Sequence, residues 1–250
     1  MSLSSVLRSE FKFVVAQIKK IPLMLESREA QIPRKEAKGV SIYHGFAANN
    51  FYFHDLIGRL EQEGYSVRAP TYRSWLDMNE IVDTQAKALE QIVQTSQQKE
   101  SLIGHSQGGL IAVRLAQLYP ELVNTVISLG APFQGTKIAR LVSFCAAGQQ
   151  MLPGSDFLEQ IAKTPLPANV VFYNIYSLND HLIIPAKNAL LYSDLARLKR
   201  TEAYRTEAYR TEAYDRMQVY NCPAPEEIGH SRLITLHEMM IKMLKQTPEL

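Results

Sequence analysis

The chain has 250 residues, 46% hydrophobic and 21% charged, enough to bury one substantial core and too ordinary a mixture for a disordered, collagenous or disulfide-scaffold protein. Its 27 Lys and Arg against 25 Asp and Glu leave a net charge of +2, without the basic footprint of phosphate-backbone binding, so nucleic acid is excluded as a partner. Cys145 and Cys222 have no metal-ligand spacing and leave their own pairing open.

Residues 1–38 form an N-terminal segment. Leu3, Leu7, Phe11, Val14, Ile18, Ile21 and Leu25 recur at steps of three and four, the spacing of an amphipathic helix that Pro22 ends or kinks. Arg8, Glu10, Lys12, Lys19 and Lys20 interrupt the apolar residues, so the segment has no signal-peptide core and no uncharged run of about 18 residues to span a membrane. Two roles fit it: a helix laid against the domain, or a peripheral membrane contact using its Lys and Arg on anionic lipid. With no signal or span in view, a cytoplasmic location is the expectation.

From Gly39 onward short apolar runs alternate with longer helical patterns, the mark of a parallel sheet covered on both faces by helices. Strands are expected at Val40 to Tyr43, Tyr65 to Ala69, Ser101 to Ile103, Val123 to Leu129, Val170 to Tyr176 and Met217 to Tyr220. Helices are expected at Phe51 to Glu63, Asp77 to Ser96, Gly109 to Tyr119 and Ser231 to Lys245. Ligands in such a fold gather where strands end and helices begin.

The central signal lies at such an edge. Gly104-His105-Ser106-Gln107-Gly108 is a G-x-S-x-G between an apolar strand and an apolar-periodic helix. A strand that turns abruptly into a helix strains the serine backbone and requires glycines where side chains would strike neighbouring backbone. Ser106 is then presented at a helix N-terminus, whose unpaired N–H groups favour developing negative charge.

Four blocks together resemble the α/β-hydrolase superfamily, and within it the bacterial esterase and triacylglycerol-lipase-like group. They are Tyr43-His44-Gly45-Phe46, Gly104 to Gly109, Leu129-Gly130-Ala131-Pro132-Phe133-Gln134-Gly135-Thr136, and Gln150-Met151-Leu152-Pro153-Gly154-Ser155. The resemblance runs from about Gly39 to the last helix. It implies one α/β-hydrolase domain over residues 1–250, with a mostly parallel central sheet, flanking helices and a small helical lid.

The resemblance also implies an oxyanion hole built from the backbone N–H groups of Phe46 and Gln107, fixed in place before charge appears. For Gln107 the elbow argues the same, since the residue after the nucleophile opens a helix with an unpaired N–H. In this fold the partners of the serine follow it as acid, then histidine. That order removes His44, His54 and His105 and leaves His181, His230 and His237. His230 stands in a loop after the last strand, beside Gly229, where the family places its base, whereas His237 falls within the periodic pattern Leu233, Leu236, Met240, Met243. Asp180 follows an apolar strand and precedes an apolar-Pro segment, as in the family's Asp-x-x-Val-Pro pattern, and is the expected acid ahead of Asp156, Asp194 and Asp215. Its plain alternative is an Asx turn closing the strand. His181, beside it, lines the site mouth or is an ordinary surface residue.

Residues 137–168 are apolar yet broken by Pro153, Pro165 and Pro167, too long for a bare loop. By resemblance they form a lid, with Phe133, Phe144, Met151 and Leu152 as candidate substrate-binding residues; an ordinary helix on the sheet face is the alternative. Residues 201–214 repeat Thr-Glu-Ala-Tyr three times at a period of neither helix nor strand, a tandem duplication in a surface excursion. The expected activity is that of a monomeric serine carboxylic-ester hydrolase with a Ser106, His230, Asp180 triad, acting on a small-molecule or lipid ester with a hydrophobic acyl group and needing no metal or cofactor. An acyltransferase or thioesterase on the same triad, and a non-catalytic binding or scaffold protein, are the alternatives.

Overall fold

The computed structural model describes residues 37–191 and 219–246. The N-terminal helical pattern, the Thr-Glu-Ala-Tyr repeat, Asp194, Asp215 and the expected start of the last strand lie outside them.

Among the described residues six strands make one parallel sheet: β1 (Gly39–Tyr43), β2 (Ser66–Arg68), β3 (Glu100–His105), β4 (Val123–Leu129), β5 (Val171–Tyr176) and β6 (Val219–Pro223), in the spatial order β2-β1-β3-β4-β5-β6. The helices are α1 (His54–Gln62), α2 (Met78–Ser96), α3 (Gln107–Leu118), α4 (Ala146–Gln150), α5 (Asp156–Lys163) and α6 (His237–Gln246). The chain runs outward from β1 to β2, then returns across β1 to begin β3. The sheet therefore reverses direction between β1 and β3, the place where open α/β sheets leave a crevice.

Alternate residues of each strand enter opposite cores, as the period of two requires. Tyr43, Leu102, Val126 and Phe172 join one apolar cluster with residues of α2, α3, α4 and α5. Val40, Ile42, Ile103, Ile127 and Ile175 join the other with residues of α1 and α6. Both faces being covered, β3 is buried along its whole length.

Boundaries depart from the sequence reading where tertiary contacts override propensity. α3 begins at Gln107, two residues earlier than expected, because packing carries the helix through Gly108 and Gly109, poor helix formers. The first and last expected helices each open with a 3-10 turn, Asn50–Phe53 and Ser231–Thr235. β6 runs on to Pro223. There the Asn221 amide exchanges hydrogen bonds with the Leu191 backbone and accepts one from Asn174, a buried side chain that also receives the Ser128 hydroxyl.

Beside β1 lies a polar cluster with no part in the sequence reading. Ser41 donates to Glu100 Oε2 at 2.7 Å, and Arg68 donates to Ser41, Gln85 and Tyr43. Burial pushes the Glu100 carboxyl up, against the opposing pull of the Ser41 hydrogen bond and the Arg68 charge. An acid whose pKa is higher folded than unfolded stabilises the fold below its unfolded value, and that contribution is lost as pH rises through the folded value. Glu100→Gln imitates the protonated form. The urea midpoint of the variant is therefore expected to gain on the wild type as pH rises from about 4.5 to 7; parallel midpoints across that range would contradict it.

Candidate active site

β3 ends at the reversal point and turns straight into α3. Ser106, at the joint, has φ 55 and ψ −121, a conformation rare for a residue with a side chain. Its N–H donates to Leu129 O at 2.8 Å, which ties the turn to the end of β4. A Cβ on Gly104 would stand 2.2 Å from Gly108 O, and one on Gly108 would stand 2.1 Å from Tyr43 O. Serine is a favoured helix cap, yet the Ser106 side chain makes no capping bond to α3, so its hydroxyl is not spent on the helix.

The loop after β1 passes beside this serine: a Cβ on Gly45 would lie 3.1 Å from Ser106 Cβ. His44 starts the loop, buried and stacked on Tyr72 with ring centroids 3.9 Å apart. The Tyr72 N–H can only donate, so His44 Nε2 accepts from it at 3.2 Å and the proton sits on Nδ1, which donates to Gly45 O at 2.9 Å. Burial lowers the pKa of this ring and keeps it neutral. The backbone N–H groups of Phe46 and Gln107 meet no acceptor among the described residues, whereas the next one in the loop, on Ala47, donates to Ser74 Oγ at 2.8 Å.

Asp180 and His230 come together across the ends of β5 and β6. His230 Nδ1 lies 2.7 Å from Asp180 Oδ2, both side chains almost wholly buried. A carboxylate can only accept, so Nδ1 carries the proton and Nε2 is left as the basic nitrogen. The other oxygen, Oδ1, accepts from the N–H groups of Leu182 and Ile183 at 2.9 and 2.7 Å. The Asx turn and the pairing with His230 thus coexist in one carboxylate. Two further bonds stitch the loops together: Ser177 Oγ donates to Ile228 O, and Asn179 donates to Glu226 O. Gly130, at φ +57, leaves room for the imidazole, since a Cβ there would lie 3.1 Å from His230 Nδ1. Ser106 is held to the residue before Gly130, so serine and imidazole occupy neighbouring strand ends.

Two contributors were missed in the sequence. His105, set aside by chain order, lies with its ring 4.8 Å from that of His230 and its Nε2 3.0 Å from His230 O. Burial, and then the His230 charge, push its pKa down to about 3. The neutral ring has one proton, which Nε2 donates to the His230 carbonyl. The signal was in view, as an imidazole within the elbow motif itself. Ser74, by contrast, stands in an irregular stretch with no motif, and only the fold brings it to Ala47.

The other expected residues separate. Phe133 and Met151 are buried in the cluster that also holds α3, Leu152 and Phe46 are half-buried against it, and Phe144 is 84% exposed. Residues 137–163 form the 3-10 turn Lys137–Val142 followed by α4 and α5. α5 is hydrogen-bonded to α3 through Gln117 and Arg114, whereas α4 meets the turn after β2, with Ala147 N–H on Trp75 O. Exposed Trp75, Leu141, Phe144, Leu178, Leu182 and Ile184 stand on the loops that follow β2, β4 and β5, all on the edge that holds Ser106. His181 Nε2 is buried without a partner among the described residues, and His237 opens α6, away from these groups. Asp156 opens α5 and is exposed.

This architecture is that of a known class. A family model described as the alpha/beta hydrolase fold matches residues 42–143, and the parallel sheet with helices on both faces has that fold. The chain's relatives include the triacylglycerol lipase of Pseudomonas fragi, 34% identical over 92 residues that cover 36% of this chain and 31% of the relative. The triacylglycerol lipase of Vibrio cholerae is 30% identical over 114 residues, covering 44% and 34%. The matched region thus spans about a third of the length of these curated relatives. Among solved structures, mature Bacillus licheniformis lipase BlEst2 is similar with a TM-score of 0.61 at 16% identity, over 86% of this chain and 95% of that one.

The glycine contacts rank two substitutions. Gly108→Ala places a methyl group against fixed backbone and is expected to cost roughly 3 kcal/mol or more. Gly154→Ala has open space around it and carries only the strain of φ +81, about 1 kcal/mol. Urea unfolding of both variants checks the order, and equal losses would contradict the elbow packing described here.

Proposed function

We propose that the chain is a serine carboxylic-ester hydrolase acting on esters with a hydrophobic acyl group. The observation that carries this reading is the buried 2.7 Å pairing of Asp180 with His230 at the strand ends beside Ser106, whose strained backbone leaves the hydroxyl off the helix.

In this mechanism Ser106 Oγ attacks the ester carbonyl carbon while His230 Nε2 takes the hydroxyl proton. The carbonyl π pair moves to oxygen, and the N–H groups of Phe46 and Gln107 receive the oxyanion; their lack of any other acceptor supports that role. Collapse of the tetrahedral intermediate expels the alkoxide, which takes the proton from His230 and leaves as the alcohol. Water then attacks the acyl-enzyme, gives a proton to His230, and the second collapse returns that proton to Ser106 as the acid departs. Asp180 keeps the proton of the resting imidazole on Nδ1 and stabilises the transient imidazolium.

The hydrophobic acyl preference draws support from the apolar residues around the site. In this reading Phe46 and Leu152 form the wall that an acyl chain touches, with Phe133 and Met151 behind it, and Leu141 and Phe144 act as part of a lid over the mouth. Among the described residues no helix is long and apolar enough to cross a membrane.

A chain-length series of p-nitrophenyl esters tests the reading. Turnover is expected to rise toward medium or long chains. Ser106→Ala is expected to lose it by about 10⁵-fold, together with the intact-mass adduct of a fluorophosphonate. Asp180→Asn is expected to lower kcat by roughly 10⁴-fold through the wrong imidazole tautomer. A folded wild type with neither turnover nor adduct would overturn the proposal in favour of a binding protein, and product analysis with added alcohols would reveal acyl transfer.

The apolar rim makes a separate prediction. Leu141→Ser with Phe144→Ser alters side chains that are 75% and 84% exposed, so stability should shift by no more than about 0.5 kcal/mol. The double variant is expected to keep its activity on acetate esters and to lose about tenfold in kcat/KM on long-chain esters. Equal losses on both would remove these residues from acyl recognition.

A further inference from the structure

We propose that Ser74 is a positioning residue that sets the Phe46 oxyanion donor and anchors the side chain of Gln107, a role that rests on the esterase reading above. Ser74 is 1% exposed and sits in the turn between β2 and α2. Its hydroxyl oxygen accepts from Ala47 N–H at 2.8 Å, and its carbonyl oxygen accepts from Gln107 Nε2 at 2.8 Å. One residue thus holds the peptide that follows Phe46 and the side chain of the residue supplying the second donor.

Each tether restrains a group with little else to hold it. Ala47 has φ 54, a conformation that persists only when its surroundings impose it. The first half of its loop is secured independently, since Tyr72 OH donates to His44 O at 2.5 Å and Tyr72 N–H donates to the His44 ring. The Phe46 end relies on the Ser74 hydroxyl, together with the turn bond from Ala48 N–H to Gly45 O at 3.3 Å. Gln107 is fully buried and its Oε1 has no partner among the described residues, so the bond to Ser74 O is what orients its amide.

The consequence is specific to the transition state. Ser74 makes none of the bonds described for Asp180, His230 or His105. Losing its hydroxyl would leave proton transfer intact and let the Phe46 N–H drift from where the oxyanion forms. Such drift lowers kcat and leaves ground-state binding alone. Ser74→Thr keeps an acceptor oxygen. Ser74→Cys keeps nearly the same shape with a much weaker acceptor, which separates the hydrogen bond from packing.

The test uses the full chain with p-nitrophenyl butyrate, and an alkylboronic acid whose tetrahedral adduct with the serine occupies the oxyanion site. Ser74→Ala and Ser74→Cys are expected to lose about 10- to 100-fold in kcat with KM within about threefold of wild type, and to bind the boronic acid more weakly in proportion. Ser74→Thr is expected to stay within about threefold in kcat. Folded Ala and Cys variants within about twofold of wild-type kcat would overturn the proposal, as would a loss carried by KM or a Thr variant as impaired as Ala. Should Ser74→Ala not fold, Ser74→Cys decides alone. If the wild type lacks Ser106-dependent turnover and the fluorophosphonate adduct, the esterase reading fails and this one with it; an active wild type beside an unimpaired Ser74→Cys defeats this proposal only.

Discussion

β1, β3 and the first turn of α3 close on one another backbone to backbone, at distances that admit no Cβ on Gly104 or Gly108. That approach prevents β3 from continuing straight into the helix and puts the turn into Ser106, at φ 55. The remaining geometry follows from it. The serine side chain makes no capping bond to the helix, and the loop after β1 is brought beside Ser106. The reversal of strand order between β1 and β3 leaves that place open to a ligand. Strain of this kind survives because the sheet and both apolar layers hold it in place.

The buried histidines near the elbow show how burial sorts chemistry. An imidazolium out of water needs a compensating charge, and among the described residues only His230 of the three rings is hydrogen-bonded to a carboxylate. His44 is neutral, with its tautomer dictated by Tyr72, and His105 is neutral because burial and the neighbouring His230 oppose its charge. His105 instead spends its one proton on the His230 carbonyl, holding the backbone of the proposed base while Asp180 holds the ring.

The turn after β2 links the apolar rim to the elbow. Trp75 O accepts from Ala147 of α4 at 3.4 Å, and Met78 N–H donates to Gln150 of the same helix at 2.7 Å. The adjacent Ser74 faces the other way, toward Ala47 and Gln107. The long segment after β4 divides its contacts accordingly: α5 is hydrogen-bonded to α3, and α4 is hydrogen-bonded to the turn after β2.

How much was legible depended on the range of the interactions involved. The short apolar runs of Val40 to Tyr43 and Val123 to Leu129, the helical pattern of α2 and the glycines of the elbow are local signals, and local sterics and burial suffice to read strand, helix and tight turn from them. Chain order and the blocks around Gly45, Gly130 and Asp180 extended that to the fold class and to the candidate serine, acid and histidine. What stayed hidden was made by side chains distant in sequence. The Ser41, Arg68 and Glu100 cluster, the His105 bond to the His230 carbonyl, and the bridge from Ser74 to Ala47 and Gln107 leave no periodicity. A hydrogen bond across tens of residues depends on where two strand ends come to rest. The amino-acid sequence by itself determined which elements form and which residue types bear the chemistry. Only the tertiary structure decided which nitrogen carries each proton and which side chains distant in sequence meet, because those are properties of distance and burial rather than of order along the chain.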